Sequence, residues 1–338
     1  MTRTWEPRLV ELCRGVRAEV RRTIASAIDR GELHTLATAV GQGAGDVTYG
    51  IDAASEHVID RWLASTARET PLSLLTEDAG WRHMGPDGRG GARALDGFDH
   101  GGPRIVIDPI DGTRNLMTDL RAAWVVLGMA GPGATTPRMS DQAFGVLCEI
   151  PDSRAKFGRV LHAVRGERCR TASDELDTHD DGLEREHAVD AHARVDHGYF
   201  PFFKYMADLR PEIARIEADF FARLEREERA DVRNCYDDQY ISNGGQLALL
   251  TFGTYRMIAD LRAALAERRG RPTLTTKPYD VAGAIVVAEA AGCVVTDAHG
   301  GALDFPIDAH TPVSFVGWVN EATRARCEKH LRAALASG

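Results

Sequence analysis

The apolar run Arg104-Ile105-Val106-Ile107 stops abruptly in Asp108-Pro109-Ile110-Asp111-Gly112-Thr113. No other stretch constrains the fold as strongly. The apolar part reads as a short buried strand. Pro109 lacks an N–H and has a fixed φ, so it is predicted to end that strand. A turn at this point can aim Asp108, the Ile110 carbonyl and Asp111 at one place, which makes an oxygen-only set suited to hard cations such as Mg²⁺. The free N–H groups of Gly112 and Thr113 come next, and such groups bind phosphate oxygens. Metal and phosphate at one spot suggest metal-assisted phosphoryl chemistry. The same residues also make a good turn with no further role.

Three other segments bear on the choice. Leu74-Leu75-Thr76-Glu77-Asp78 reads as a short buried strand ending in acids. The loop Gly45-Asp46-Val47-Thr48-Tyr49-Gly50-Ile51-Asp52 leads into a helical pattern from Ala53 to Leu63. Lys277-Pro278-Tyr279-Asp280 precedes an apolar helix with Asp280 at its N-cap and Gly292 at its C′ position. An acid there would lie beside free N–H groups and a positive dipole end. Plain capping accounts for it equally well.

Taken together, these segments resemble the inositol monophosphatase superfamily of Mg²⁺-dependent, lithium-sensitive phosphatases. The superfamily's first signature, D-P-x-D-G-T-x-N-[FY], is matched by Asp108 to Leu116, and its second, W-D-x-A-[AG]-[AG], by Tyr279 to Ala284. Glu77 matches the acid after the short strand, and Asp46, Thr48 and Asp52 match the upstream loop. Gly292 to Gly301 fits the closing strand and turn, and the resemblance runs from about residue 10 to about residue 330.

The resemblance implies that Glu77, Asp108 and Asp111 are carboxylate metal ligands and that Ile110 gives its carbonyl. Asp280 would complete a second site, for two or three Mg²⁺ ions in all. Four carboxylates in one pocket repel each other without cations. Gly112 and Thr113 N–H groups would hold the phosphoryl oxygens, with Asp280 on the same substrate wall. Glu77, Thr113 and Asp52 would be catalytic: the Thr113 hydroxyl partners the attacking water, Asp52 holds that hydroxyl, and Glu77 contacts the water. Asp46 and Thr48 shape the loop, and Asn115 stabilises the turn.

Some positions depart from the family. Tyr279 stands for the usual Trp, and Leu116 for Phe or Tyr. Thr273 stands where inositol monophosphatases carry a polyol-selecting acid, seven residues before Asp280. The nearby Arg268, Arg269 and Arg271 read as a solvated loop or as a grip on a second phosphate. Residues 82–103 and 170–235 look like insertions. The first is predicted to form a mobile loop or hairpin. The second carries scattered histidines, an aromatic cluster (Tyr199 to Met206) that packs in the core, at a subunit contact or on the substrate wall, and a helix from Pro211 to Arg229.

A chain of 338 residues with 43% hydrophobic content can build a large core. Helices are expected at about 6–29 and 52–69, with strands near 72–76, 104–108, 122–130, 142–149 and 157–165. The mixture predicts α/β layers, which the resemblance sharpens to an α-β-α-β-α sandwich of the inositol monophosphatase/fructose-1,6-bisphosphatase type. Residues 1–166 would carry most ligands, and 167–338 would carry Asp280 and much of the pocket. A net charge of −9 argues against nucleic acid or anionic membrane as partners. Six scattered cysteines without a C-x-x-C pair fit a reducing cytoplasm. No apolar run reaches ~18 residues, and the first residues lack a signal-peptide pattern. The expected function is hydrolysis of a small phosphate monoester, a sugar or polyol phosphate, by a homodimer. The alternatives are fructose-1,6-bisphosphatase, 3′-phosphoadenosine-5′-phosphate phosphatase, and a non-catalytic phosphometabolite-binding protein.

Overall fold

The computed structural model describes residues 2–32, 36, 39–42, 47–178 and 180–337. The chain begins with α1 (Thr2–Asp29), the short strands β1 (Ala39–Gln42) and β2 (Val47–Tyr49), and α2 (Asp52–Thr66). Next come β3 (Leu72–Thr76), β4 (Gly80–Pro86), β5 (Ala92–Ala94) and β6 (Arg104–Asp111). The one-turn α3 (Thr113–Met117) leads to β7 (Ala123–Ala130), β8 (Gln142–Ile150), β9 (Phe157–Val164), β10 (Cys169–Glu175) and β11 (Arg185–His187). Strands β3 to β11 form one nine-stranded sheet in the order β11-β10-β9-β8-β7-β6-β3-β4-β5. Within it β3 and β6 run parallel, and the other pairs are antiparallel.

The second half supplies β12 (Gly198–Tyr199), α4 (Arg210–Glu228), β13 (Cys235–Tyr236), α5 (Asn243–Thr251) and β14 (Met257–Asp260). It continues with α6 (Arg262–Arg269), α7 (Pro278–Ala291), β15 (Val294–Thr296), β16 (Phe315–Trp318) and α8 (Glu321–Ser337). Strands β14, β16 and β15 make a second, three-stranded sheet. Among the described residues no helix is long and apolar enough to cross a membrane.

Side chains alternate along each strand, so a sheet has two separate faces to cover. On β7, Ala123, Val125 and Leu127 join the core beneath α1 and α2, while Trp124 and Val126 join the core beneath α5 and α7. That second core reaches Ile258 and Phe315 of the small sheet. The far face of the small sheet (Met257, Ala259, Val316, Trp318) is covered by α4 and α8. The layers therefore read α-β-α-β-α, as expected from the sequence.

Several local expectations change. Pro109 does not end β6. The strand runs on to Asp111, with a register shift between Asp108 (opposite Val126) and Asp111 (opposite Trp124). Three steps on β6 match two on β7, which is a bulge, and a bulge leaves room for a residue that cannot donate. The division at 166/167 falls in the turn between β9 and β10, which are paired neighbours in one sheet. Residues 82–103 supply most of β4 and all of β5 at the sheet edge, closer to the hairpin than to a loose loop. The segment 170–235 supplies β11 and most of β10 to the nine-stranded sheet, and its Phe202 makes a bridge to Ala259 of the small sheet. Phe200, Phe202 and Phe203 are fully buried, and Ile213, Ile216, Phe220 and Leu224 form the buried stripe of α4.

Candidate active site

Parallel pairing brings the C-terminal ends of β3 and β6 to one edge, with Leu75 opposite Val106. Glu77 and Asp108 follow directly from this register. The bulge at Pro109 then turns Asp111 toward the same edge. Gly112 has φ of 99°, a left-handed conformation that favours glycine, and it starts α3 at Thr113. Asn115 anchors this turn by donating its side-chain N–H to the Ile241 carbonyl at 2.7 Å. The other wall comes from α7. Asp280 is not its N-cap: Lys277 precedes the helix, Pro278 is its first residue, and Asp280 accepts the Lys277 N–H at 2.7 Å from inside the first turn.

The result is a cavity of about 90 Å³. Glu77, Asp108, Ile110, Asp111, Gly112, Thr113 and Asp280 all line it. Asp52 opens α2, is half-buried, and is not on that wall. Asp46 lies outside the described residues. Thr113 donates its hydroxyl proton to the Ile110 carbonyl at 2.8 Å. A hydroxyl has one proton, so in this state Thr113 donates neither to Asp52 nor to a water.

The carboxylates are under electrostatic load. Burial, and then the charges of Asp111, Asp280 and Glu77, push Asp108 well above the usual carboxylate range. Burial and then Asp111 push Asp280 the same way, against the pull of the Lys277 N–H. Burial raises Asp111 to about 6, although Ser242 and the Gly244 and Asn243 N–H groups pull it down. Among the described residues, no three His, Cys, Asp or Glu stand close enough together to hold a metal. The carboxylates face one space without closing on a point, and each of the three aspartates uses an oxygen on a donor of the chain. Their chemistry nevertheless fits a divalent cation. The donors are all oxygen, as hard cations require, and the raised protonation of all three aspartates marks a missing positive charge.

Sequence reasoning missed the third wall. Ser242 caps α5, accepting the Gly245 N–H at 2.9 Å and donating to Asp111 at 2.7 Å. The N–H groups of Asn243 and Gly244 also point at Asp111, at 3.2 and 2.5 Å. Ser-Asn-Gly-Gly before the apolar run Gln246 to Leu250 is a readable helix start, but nothing in it names Asp111 as its target. Tyr205, Arg262, Lys277 and Arg114 also line the cavity, so the aromatic cluster does reach the wall through Tyr205. Two members of the basic cluster are tied to structure rather than pointing at the site. Arg269 donates to Glu212 at 2.5 Å, and Arg268 pairs with Glu212 at 3.8 Å and donates to the Leu335 carbonyl.

The description "Inositol monophosphatase family" matches residues 10–335. The chain belongs to the inositol monophosphatase family. That places it in a superfamily of Mg²⁺-dependent phosphomonoesterases. Curated proteins give no match. Among solved structures, an IMPase of Thermotoga maritima is 15% identical, with TM-score 0.60, over 100% of this chain and 99% of that one. Leishmania major fructose-1,6-bisphosphatase is 11% identical, with TM-score 0.64, over 94% and 93%. Staphylococcal IMPase-II is 16% identical, with TM-score 0.56, over 97% of each chain. At such identities the likeness concerns the fold.

Proposed function

We propose that this family member is a Mg²⁺-dependent phosphatase acting on a small phosphate monoester, a sugar or polyol phosphate. One observation carries the reading: Glu77, Asp108, Asp111 and Asp280, from both halves of the chain, line a single cavity beside Gly112 and Thr113. Glu77, Asp108, Asp111, Asp280 and the Ile110 carbonyl would hold the cations. When bound, Mg²⁺ supplies Lewis-acid polarisation and charge neutralisation at the phosphoryl group.

The chain's own groups have the following roles. The N–H groups of Gly112 and Thr113 bind the phosphoryl oxygens and favour the charge that spreads over them. The Thr113 hydroxyl turns its proton away from the Ile110 carbonyl and becomes a partner of the attacking water. Glu77 contacts that water, and Asp52, at the start of α2, holds the Thr113 hydroxyl and helps take up the proton. The involvement of Arg268 and Arg269 with Glu212 removes the main reason to favour the bisphosphate substrates, so a monoester is preferred. Binding without turnover is a second reading, supported by carboxylates that face the cavity without closing on a point.

The test is phosphate release from a panel of monoesters and bisphosphates, with Mg²⁺ or with EDTA, beside Asp111→Asn. Release that needs Mg²⁺ and is lost in the folded variant supports the phosphatase. Binding of a phosphate ester with no release from any substrate would favour the second reading.

A further inference from the structure

Asp111 and Asp280 come from different elements, β6 and α7, and carry the same charge when both are ionised. Like charges in one buried space push their carriers apart. Asn243, the first residue of α5, bonds to both. Its backbone N–H donates to one Asp111 oxygen at 3.2 Å, and its side-chain amide donates to Asp280 at 3.3 Å. It is 8% exposed and lines the cavity. The Asp280 oxygen it reaches is the one that also accepts the Lys277 N–H. Two donors thus hold one oxygen of Asp280 on the protein side.

The approach depends on the glycine that follows. A Cβ at Gly244 would lie 2.4 Å from Val126 and 3.0 Å from Asp111. Only a residue without a side chain lets the start of α5 come this near β6. The choice of an amide is equally specific. A carboxamide donates at every pH and adds no charge, whereas an acid would add repulsion and an apolar group would leave a buried oxygen short of a donor.

We propose that Asn243 is a positioning residue, which ties Asp111 and Asp280 to one point on α5 and so keeps both carboxylates facing the cavity for a divalent cation. The proposal rests on the metal-site reading above. It differs from that reading in assigning cation affinity to a residue that is itself no ligand. Donors behind metal ligands are commonly worth about 10- to 100-fold in affinity.

The experiment is calorimetric titration of the metal-free protein with Mg²⁺, on the natural chain, Asn243→Leu and Asn243→Ala, each with its unfolding midpoint measured without metal. Leucine keeps the volume and removes the donor. Alanine is well tolerated at a helix start and guards against a folding failure of the first variant. Both variants should bind Mg²⁺ at least tenfold more weakly than the natural chain, and their Mg²⁺-induced rise in melting temperature should shrink accordingly. Unchanged affinity in a folded variant overturns the positioning role and leaves the metal site standing. No Mg²⁺ binding by the natural chain overturns the metal site and the positioning role together.

Discussion

Gly283 of α7 touches the backbone of β7: a Cβ at Gly283 would lie 1.8 Å from the Leu127 carbonyl oxygen. The contact continues on β8, where a Cβ at Gly145 would lie 2.1 Å from the Gly283 carbonyl. The Ala-Gly-Ala of the second signature thus has a packing reason. It lets α7 lie directly on the sheet and brings Asp280, one turn earlier, to the end of β6. Gly283→Ala should force the helix outward and destabilise the protein by about 1–3 kcal/mol or more, the usual scale of overpacking. Urea unfolding measures this. Because the displaced helix carries Asp280, Mg²⁺ affinity should fall in the same variant. An unfolding midpoint equal to that of the natural chain would contradict the contact.

Behind Asp280 lies a buried ion pair. Arg262 donates to both oxygens of Asp260, at 2.9 and 2.8 Å, and to the Thr276 hydroxyl at 2.8 Å. Both charged residues are nearly or fully buried, and the guanidinium lies near the Phe203 and Tyr205 rings. Removing one partner leaves an uncompensated buried charge, at a cost of about 3–5 kcal/mol. Arg262→Met should therefore be strongly destabilising. Asp260→Leu combined with Arg262→Met should be far less so than the sum of the two single changes. A double-mutant cycle by chemical denaturation decides the matter, and strict additivity would sink it.

What could be read in the sequence was whatever neighbouring residues supply together. Asp108, Ile110, Asp111, Gly112 and Thr113 are near neighbours in the chain, so their meeting at one cavity needed no knowledge of the fold. The mixture of helices and strands made α/β layers legible, but their α-β-α-β-α order came from the family resemblance, because β6 and β7 are buried along their whole length and carry no polar face to read. Pro109 could not be placed, because whether a proline ends a strand depends on the partner strand, here β7 and its bulge. The Ser242 bond to Asp111 spans 131 residues, and no local pattern connects the two. Arg268 and Arg269 looked available for a ligand because Glu212, which holds them, lies on α4, far away in sequence. Asp280 was misplaced by three residues along its helix, whose N-cap is Lys277, although Pro278 at the first position already marked the start.

Thr113 separates binding from chemistry. Its N–H belongs to the backbone and survives substitution, whereas its hydroxyl does not. Thr113→Ala should therefore lower kcat by more than it raises KM, since a water-orienting group matters in the transition state. Steady-state kinetics on the best substrate of the panel would show this. A change confined to KM would contradict the water-orienting role and return the hydroxyl to its bond with Ile110.

The aspartates of the cavity give the stability a characteristic pH dependence. Asp111 is raised to about 6, and Asp108 and Asp280 are raised well above the ordinary value. An acid with a raised value in the folded state binds more protons folded than unfolded once the pH exceeds its unfolded value, near 3.9. The stability it contributes is full below that value and is lost as pH rises through the folded value. The metal-free protein should therefore lose stability from about pH 4 upward through 6 and beyond, the reverse of a carboxylate held in an ion pair. A divalent cation must displace those protons, so Mg²⁺ should release protons on binding and stabilise more at pH 8 than at pH 6. Calorimetric titration in two buffers of different ionisation enthalpy counts the protons. Denaturant midpoints with EDTA or Mg²⁺ at both pH values measure the stabilities. A metal-free protein that gains stability between pH 5 and 7, and binds Mg²⁺ without proton release, would mean that these three carboxylates are already ionised and balanced by charges within the chain.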